Sequence, residues 1–502
     1  MTSMNEKNCA KFFVFVFVEN RVVDAMHNVS CFVNGCKCIM NTYTVKYSVN
    51  TFDTRIKEVV EKYGPSEELV REISRIKNEP EWMLELRLNS LKLWYSTAMP
   101  NWGPSLTGLD LENITYFVDP NVKETDNWQA LPKEITDTFE KLGIPKAERD
   151  YLGGVGAQYD SGIVYHRIQK QLSDMGVVFE NMDVALQKYP ELVKEHFMTK
   201  CVPTKDHKFT MLHGAVWSGG TFIYVPKGVK VGLPLQAYFR MNKARSAQFE
   251  HTLIIADEGA EVTYIEGCSA PQYTESSLHA GCVELWVKKN ARVKYISVEN
   301  WSKNTYNLNT KKALVFEDAT VEWVNGNMGS HTTMLYPSSV LLERGARSES
   351  LGIVMANAGQ TQDTGSKAIH MAPNTVSVIR SKSVSKGGGV SNYRGFVRML
   401  PGAINSESTV MCDALILDNE SVSNTYPSIK NQNSQVTINH EARVGKVGDD
   451  EIFYLKSRGY GEAEALRLIV GGFMEPIVKA LPFEYAIELN KLIELEMEGS
   501  VG

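Results

Sequence analysis

Apolar and polar residues alternate in short runs through the middle of the chain. Thr221–Val225 and Glu261–Ile265 are two such runs, and Gly, Asn, Asp and Pro residues separate each run from the next. A period of two is typical of β-strands, because successive side chains point to opposite faces. The pattern begins near Lys208 and continues to about Tyr454, which predicts a long strand-rich region.

Helical spacing replaces this alternation at both ends of the sequence. Ser66 predicts a helix N-cap, and Leu69 and Ile73 then fall on one helical face. The helical period returns at Gly459, and the helix there is expected to end near Gly471–Gly472, since glycine weakens helices. The fold class predicted is therefore mainly β with helical ends.

A turn residue followed by a small residue recurs through the strand-rich region at steps of 31, 28, 27, 29 and 28 residues. Near-constant periods in this range indicate stacked units, and strand-rich units favour a parallel β-helix, or β-solenoid. A β-sandwich with accidental spacing is the alternative on periodicity alone. The repeated pairs are Gly259-Ala260, Asn290-Ala291, Asp318-Ala319, Gly345-Ala346, Asn374-Thr375 and Gly402-Ala403.

These periods divide the chain into four segments. The predicted segments are an uncertain leader or disordered stretch (1–52), a mainly helical N-terminal domain (53–205), a β-helix core (206–455) and a C-terminal helical domain (456–502).

Composition excludes several classes of function. The net charge of -6 argues against nucleic acid as a partner, because phosphate binding needs a basic surface. The longest apolar run, Phe12–Val18, is far shorter than the ~20 residues of a membrane-spanning helix, so no membrane association is expected. Eight cysteines in 502 residues follow no disulfide pattern, which favours a reducing compartment such as the cytoplasm. An organelle remains open if residues 1–52 form a targeting leader.

Metal chemistry is suggested by Cys412 and the adjacent pair His440 and Glu441. A thiolate, an imidazole and a carboxylate form a ligand set for iron or zinc. The alternative is that Cys412 is a small buried apolar residue without chemistry. The sequence has no phosphate-binding G-x4-G-K-[ST] motif, so we do not expect the chain itself to bind ATP.

Several long motifs, spread in order over residues 55 to 502, resemble the SufB family, the scaffold subunits of the SUF iron–sulfur cluster assembly system. These motifs are Asn78–Leu84 (NEPEWML), Gly153–Tyr159 (GGVGAQY), Trp217–Gly228 (WSGGTFIYVPKG), Pro234–Arg240 (PLQAYFR), Tyr264–Pro271 (YIEGCSAP) and Glu494–Gly502 (ELEMEGSVG).

The resemblance implies a parallel β-helix core and a set of partners. These would be a SufC-type ABC ATPase docked on the C-terminal helices, a SufD-type paralogue or a second copy of the chain, and a sulfur donor. The donor would be a cysteine desulfurase with a SufE- or SufU-type carrier, and apo iron–sulfur proteins would accept the product. The chain would not be an enzyme itself, because the ATPase activity resides in a partner. The cluster would be transient, and a flavin in the complex is left open.

The resemblance also assigns residues. Cys268 matches the sulfur-accepting cysteine, whose thiolate can exchange a sulfane sulfur. Five others match the sulfur-transfer path, and Glu299 stands where many relatives carry Gln. Cys412, His440 and Glu441 match the residues that hold the nascent cluster. The five path residues are Arg240, Asn242, Glu299, Trp301 and Lys311.

Two other functions remain open at this point. A β-helix carbohydrate-active enzyme is possible by analogy of fold, although the acidic residues stand mostly at turns, as at Asp257-Glu258. A SufD-like structural paralogue is the other alternative, and the presence of both Cys268 and Cys412 argues for the SufB type instead.

Overall fold

The computed structural model of this protein describes residues 30–33, 36–39, 61–120, 122–133, 135–137, 152–272 and 275–479, with positions 493 and 497. The chain divides into two compact units, Met1–Tyr47 and Ser48–Gly502. In the described part of the first unit, Ser30–Val33 (β1) pairs with Cys36–Ile39 (β2) as an antiparallel hairpin. Most of the predicted leader, 1–52, lies outside the described residues.

Helices flank the strand-rich region, as the spacing predicts. The first, Glu67–Ile76 (α1), begins at Ser66, whose Oγ accepts the N–H of Leu69 at 3.1 Å. The apolar side chains of its inner face are fully buried. The other helices of the described residues are α2 (Glu81–Ser96), α3 (Lys170–Asp174), α4 (Met182–Lys188), α5 (Pro190–His196), α6 (Lys208–Val216), α7 (Asp449–Ser457) and α8 (Glu462–Val478), with a 3-10 turn at Trp128–Ala130.

Two large, mostly parallel sheets contain nearly all the strands of the second unit, and their inner faces pack into a shared core. The remaining strands, in chain order, are β3 (Glu61–Tyr63), β4 (Thr115–Val118), β5 (Gly154–Tyr159), β6 (Gly162–Ile168), β7 (Val178–Asn181), β8 (Thr221–Val225), β9 (Leu235–Arg240), β10 (Ala247–Gln248), β11 (His251–Ala256), β12 (Glu261–Ser269), β13 (Ser277–His279), β14 (Cys282–Val287), β15 (Arg292–Trp301), β16 (Thr305–Asn307), β17 (Thr310–Val315), β18 (Thr320–Gly329), β19 (Thr332–Leu335), β20 (Ser338–Leu341), β21 (Arg347–Ala356), β22 (Thr361–His370), β23 (Val376–Ser385), β24 (Val390–Met399), β25 (Ser406–Ile416), β26 (Val422–Asn431) and β27 (Val436–Lys446).

The chain winds as a solenoid, because each strand pairs in parallel with the equivalent strand of the next coil. The first sheet has the order β27-β25-β23-β21-β18-β15-β12-β9-β5-β6. Ser297, for example, lies opposite Glu266 of the preceding coil and Asn325 of the following one. About eight turns stack in this way, and the predicted parallel β-helix with helical ends is confirmed.

The repeat has a clear structural cause. At the first five predicted positions the turn residue has a positive φ, and the small residue after it is buried. At the sixth position Gly402 lies in a turn and Ala403 is buried, but the equivalent turn residue stands three positions later. Asn405, not Gly402, has the left-handed conformation (φ 54°), and Glu407 pairs with Val376 of the preceding coil. Both candidate turns carry a suitable residue, and only the pairing register of the strands decides between them.

The second sheet changes shape along the solenoid. In the earlier coils each turn contributes two short strands to it, such as β19 and β20. The ten-residue strand β22 then pairs with both of them, using Thr361–Thr364 for one and Lys367–His370 for the other. Single long strands continue from there through β24 and β26.

Residues 61–205 contain strands as well as helices. Gly154–Tyr159 (β5) pairs in parallel with β9, and Val178–Asn181 (β7) pairs with β8, so both extend the solenoid sheets. A mainly helical character therefore covers only part of this stretch. The segment boundaries near 205 and 455 stay predictions.

The long C-terminal helix α8 continues through Gly471–Gly472 to Val478, so its predicted end is wrong. Val470 and Met474 pack with Ile265 and Ile296, which point outward from the first sheet. This burial offsets the helix cost of the glycines, about 1 kcal/mol each. Among the described helices, none combines the length and the apolar character needed to cross a membrane.

Candidate functional site

Cys268 lies inside the solenoid near the end of β12. This strand is paired on both sides, and Cys268 stands opposite Phe239 of β9 and Glu299 of β15. Alternation along the strand puts Glu266 on the same inward face, two residues earlier. Only 4% of Cys268 is exposed, so its thiol sits in a closed interior.

The surroundings of Cys268 are charged. Burial raises the pKa of the thiol well above its usual range, and the nearby carboxylates of Glu266 and Glu299 raise it further, while Lys311 opposes the rise. The thiol is therefore protonated at neutral pH, and it becomes a nucleophile only when a neighbouring group takes its proton.

Glu266 is placed to take that proton. The Cys268 Sγ donates toward Glu266 Oε1 at 3.8 Å. Burial raises the pKa of Glu266 to about 7, although Lys311 works against this. A carboxyl group with a pKa near neutrality can accept and return a proton at physiological pH.

A buried ion pair lies beside this thiol. Lys311 Nζ donates to Glu299 Oε1 at 2.7 Å and to Ser297 Oγ at 2.8 Å, and the side chains of Lys311 and Glu299 have no exposed surface. Burial alone would raise the pKa of Glu299, but Lys311 and His279 outweigh it and hold that pKa below its usual value. Glu299 is therefore an anion, and its charge is balanced locally.

His279 extends the same network. Its Nε2 lies 2.5 Å from Glu250 Oε1, its Nδ1 lies 2.8 Å from Asn307 Oδ1, and Asn307 donates to Glu299. Burial lowers the pKa of His279, but the Glu250 carboxylate outweighs burial and raises it overall. The Trp301 ring lies 4.1 Å from the His279 ring, centroid to centroid, and shields it from water.

Arg240 and Asn242 lie at the end of β9, next to the Cys268 coil. Arg240 is 1% exposed and its Nη1 donates to Ser269 Oγ at 3.2 Å. The backbone N–H of Asn242 donates to Asp160 Oδ1 at 2.6 Å. All six predicted sulfur-path residues, Cys268 included, are buried on neighbouring coils. Arg240 and Ser269 follow Phe239 and Cys268 by one residue, so they lie on the opposite face of the sheet from the thiol.

Two residues of this buried network are not among the site residues predicted from the sequence. Glu266 stands inside the quoted motif, and its position two residues before Cys268 in a strand was a usable signal. His279 is the other residue. No local pattern marks it, because its partners Glu250 and Asn307 come from other coils.

The second thiol, Cys412, lies on β25, also facing inward. Its Sγ is 3.7 Å from His440 Nε2 on β27. Burial raises the pKa of Cys412 to about 12, while the nearby Tyr393 hydroxyl opposes the rise. Burial also lowers the pKa of His440, which keeps its imidazole neutral and able to bind a metal.

Glu441 is not brought to these two groups in this chain. It is the neighbour of His440 along a strand, so it points to the opposite face. There it is exposed and accepts two hydrogen bonds from Arg443, from Nε at 2.8 Å and from Nη2 at 2.5 Å. Cys412 and His440 therefore form an incomplete ligand set within the described part of the chain.

Polar groups continue inside the solenoid from one thiol towards the other. Ser297, which contacts Lys311, also donates to Asn325 Oδ1 at 3.0 Å. Asn325 in turn lines a small internal cavity of about 20 Å³, enough for about one water molecule. Tyr393 lines the same cavity and contacts Cys412.

Fold and site together define a class of protein: a parallel β-solenoid whose interior holds two thiols, one among charged groups and one beside an imidazole. Thiols and imidazoles of this kind suit sulfur and thiophilic metals.

Comparisons with known proteins are consistent with this class of protein. Residues 239–473 match the family described as SUF system FeS cluster assembly, SufBD core domain, and residues 160–237 match the SufBD protein N-terminal region. An iron-sulfur cluster assembly SufBD family protein of Staphylococcus aureus strain MRSA252 is 54% identical over 439 residues, or 88% of this chain and 94% of the relative. A SufBD family protein of Staphylococcus saprophyticus is 53% identical over the same shares.

The chain belongs to the SufBD family and is a component of iron–sulfur cluster assembly. The family includes both SufB-type and SufD-type proteins, which these matches do not separate. No observation favours the carbohydrate-active alternative.

Proposed function

We propose that this chain is a SufB-type scaffold, which accepts sulfur at Cys268 and builds a nascent iron–sulfur cluster at Cys412 and His440. The observation that supports this most directly is the pair of inward-facing thiols on one sheet, with polar groups between them. A SufD-like structural role would need neither thiol.

Sulfur acceptance is proposed to begin with Glu266. Its carboxylate takes the Cys268 proton, and the thiolate attacks the terminal sulfur of a donor persulfide. A new S–S bond forms at Cys268, the S–S bond of the donor breaks, and the donor leaves as a thiolate that takes up a proton. The step conserves electrons, so it requires no oxidant or reductant.

The new persulfide is an anion, and the buried residues around Cys268 include a cation to hold it. Lys311 already opposes the rise in the pKa of the Cys268 thiol, and its ammonium group is fixed by Glu299 and Ser297. In a water-excluded interior this charge acts more strongly than it would in solvent. Glu299 keeps Lys311 in place, and the pair is neutral overall.

Cys412 and His440 are proposed to hold the iron of the cluster. Either Glu441 or residues of a partner would complete the ligand set. The strand β27 is the last of its sheet, and its remaining edge is unpaired among the described residues. Large apolar side chains are exposed on this coil and its neighbour, including Tyr426, Ile429 and Val444. An unpaired edge with exposed apolar residues suits a SufD-type paralogue or a second copy of the chain.

The ATPase partner is proposed to dock on the C-terminal helices. Phe453, Tyr454, Tyr460 and Leu468 are each at least 40% exposed there. Exposed aromatic residues of this kind are typical of interface cores. In this proposal the chain itself is not an enzyme, the cluster is its cargo, and a desulfurase with its carrier supplies the sulfur.

The test separates the two thiols. After incubation with a cysteine desulfurase and its carrier, mass spectrometry should find added sulfur on Cys268, and Cys268→Ala should lose it. Cys412→Ala should still accept sulfur but lose the absorbance of the reconstituted cluster under anaerobic conditions. Cys201→Ala, which removes another buried thiol, is the control and should keep both properties.

Unchanged cluster absorbance in Cys412→Ala would sink the assignment of the cluster site. Equal sulfur loading of Cys268→Ala and the unmodified chain would remove the case for a SufB-type role.

A further inference from the structure

A second set of metal ligands lies away from the two thiols discussed so far. His251 and Cys282 are the first residues of the neighbouring parallel strands β11 and β14, and they stand directly opposite each other. His213 comes from helix α6, which packs over these strands. All three side chains are at most 1% exposed.

The ligand atoms are close enough for one ion. One ligand atom from each residue lies within 4.8 Å of the other two, and His213 Nε2 is 3.0 Å from His251 Nδ1. Around tetrahedral zinc, two imidazole nitrogens stand about 3.4 Å apart, and a nitrogen and a thiolate sulfur about 3.6 Å apart. The imidazole pair is therefore within a few tenths of an ångström of this spacing, and Cys282 Sγ, which lies within 4.8 Å of the nitrogens, would have to approach by at most about 1.2 Å.

The outward nitrogens of both imidazoles face groups of the kind that support metal-bound histidines. His213 Nδ1 donates to the Ala280 carbonyl oxygen at 2.9 Å, so the lone pair of Nε2 points towards His251 Nδ1. His251 Nε2 lies 3.2 Å from Glu284 Oε1 without a hydrogen bond in this structure, and a small rotation of the ring would complete a carboxylate–histidine–metal triad.

Glu284 is itself held in place. Its two oxygens accept the backbone N–H groups of Met198 at 2.5 Å and Val202 at 2.8 Å. A divalent ion, one thiolate from Cys282 and one carboxylate from Glu284 would sum to zero charge. A buried cluster without net charge avoids most of the desolvation cost of an isolated ion.

We propose that His213, His251 and Cys282 bind one divalent thiophilic metal ion of the zinc class, with Glu284 as the positioning residue. The ion would join helix α6 to the solenoid strands and so act as a structural link. Its existence does not depend on the proposed scaffold function.

The test uses full-length chain in which six cysteines are replaced by serine, so that only Cys201 and Cys282 remain. The protein is produced in cells supplied with Zn²⁺ or, separately, Co²⁺, because a buried site fills during folding. Metal per chain is measured by mass spectrometry, and thiolate-to-cobalt charge-transfer absorption reports a Cys ligand. The six replaced positions are Cys9, Cys31, Cys36, Cys38, Cys268 and Cys412.

We expect about one ion per chain and a thiolate charge-transfer band in this protein. Cys282→Ser and His213→Gln should each lose about one metal equivalent, whereas Cys201→Ser should keep the ion and the band. Circular dichroism shows whether each variant folds. Two ligand variants are used so that the test still holds if one of them does not fold. An absence of bound metal in the parent protein, or equal metal in Cys282→Ser, would overturn the proposal.

Discussion

The Cys268 and Cys412 regions share one architecture and differ in environment. Both thiols lie on the inner face of the first sheet, five strands apart in its order. Cys268 has a paired strand on each side and full-length coils around it. Cys412 lies next to β27, the last strand of the sheet, whose residues are half-buried or exposed.

The charge around the two thiols differs as well. Glu266, Glu299 and Lys311 all act on Cys268, whereas Cys412 contacts the Tyr393 hydroxyl and the neutral His440 imidazole. A closed, charged interior can hold an anionic sulfur species away from water. Once the Cys412 thiol loses its proton, its thiolate and the neutral imidazole form a pair of metal ligands beside the exposed last strand. The thiols themselves are almost equally buried, at 4% and 5% exposed, so the two regions differ in the surrounding charge and in the exposure of the neighbouring strand.

The largest loss of stability is expected when the region around Cys268 loses the cation of Lys311. Lys311→Met leaves Glu299 buried without its ion-pair partner, so the free energy of unfolding should fall by roughly 3–5 kcal/mol. Chemical denaturation with urea measures this loss.

A matched control is available on the surface. Lys289→Met removes the exposed Lys289–Glu317 pair and should cost far less stability, because solvent screens surface charges. If both variants lost the same stability, the Glu299–Lys311 pair would have no special importance.

Replacing Glu266 should have a smaller effect on stability, and this effect should depend on pH. Burial raises its pKa from 4.5 to about 7, so the folded state binds this proton more tightly than the unfolded state does. Its contribution to stability is therefore present at low pH and is lost as the pH rises from about 5 to about 8, by a few kcal/mol. Glu266→Gln should remove that part of the pH dependence and be relatively more stable at pH about 8.

Glu299→Gln should change the pH dependence of stability in the opposite direction. Because the folded-state pKa of Glu299 is below its usual value, its ionised form stabilises the fold at neutral pH, and that stability is lost as the pH falls. Denaturant titrations across this pH range compare the two variants. Parallel pH profiles for both would contradict the charge arrangement described for the Cys268 region.

The smallest effect on stability is expected at Glu441, on the last strand of the first sheet. Glu441→Gln disrupts only an exposed pair with Arg443, so the stability of the isolated chain should hardly change. Cluster retention in the complex with a partner is the informative measurement. A drop there would assign Glu441 a ligand role that the isolated chain does not display, and unchanged retention would remove it from the ligand set.

Much of the fold could be predicted because its signals are local. A turn residue such as Asn290 or Asp318 adopts a positive φ, and the alanine after it is buried, so the period of the coils is visible in the sequence. Gly402 also lies in a turn, but it is not the equivalent of the earlier turn residues. A second acceptable turn residue, Asn405, lies three positions later, and only strand pairing distinguishes the two.

The site could be predicted only in part. Cys268, Lys311 and Cys412 were expected from motifs, and alternation alone would place Glu266 beside Cys268. The side chain of Glu441 could also be expected to point away from His440, since adjacent residues of a strand face opposite sides. No local signal predicts that His279 meets Glu250, because these residues come from successive coils.

The sequence by itself determined the period of the solenoid, the faces of its strands and the turn residues between them, since these depend on neighbours along the chain. Only the tertiary structure decided which residues of different coils meet. The Lys311–Glu299 pair, the contact of Cys412 with His440 and the convergence of His213, His251 and Cys282 all depend on coil register and on helix packing. Those distances are set by the whole core, which no single stretch of sequence encodes.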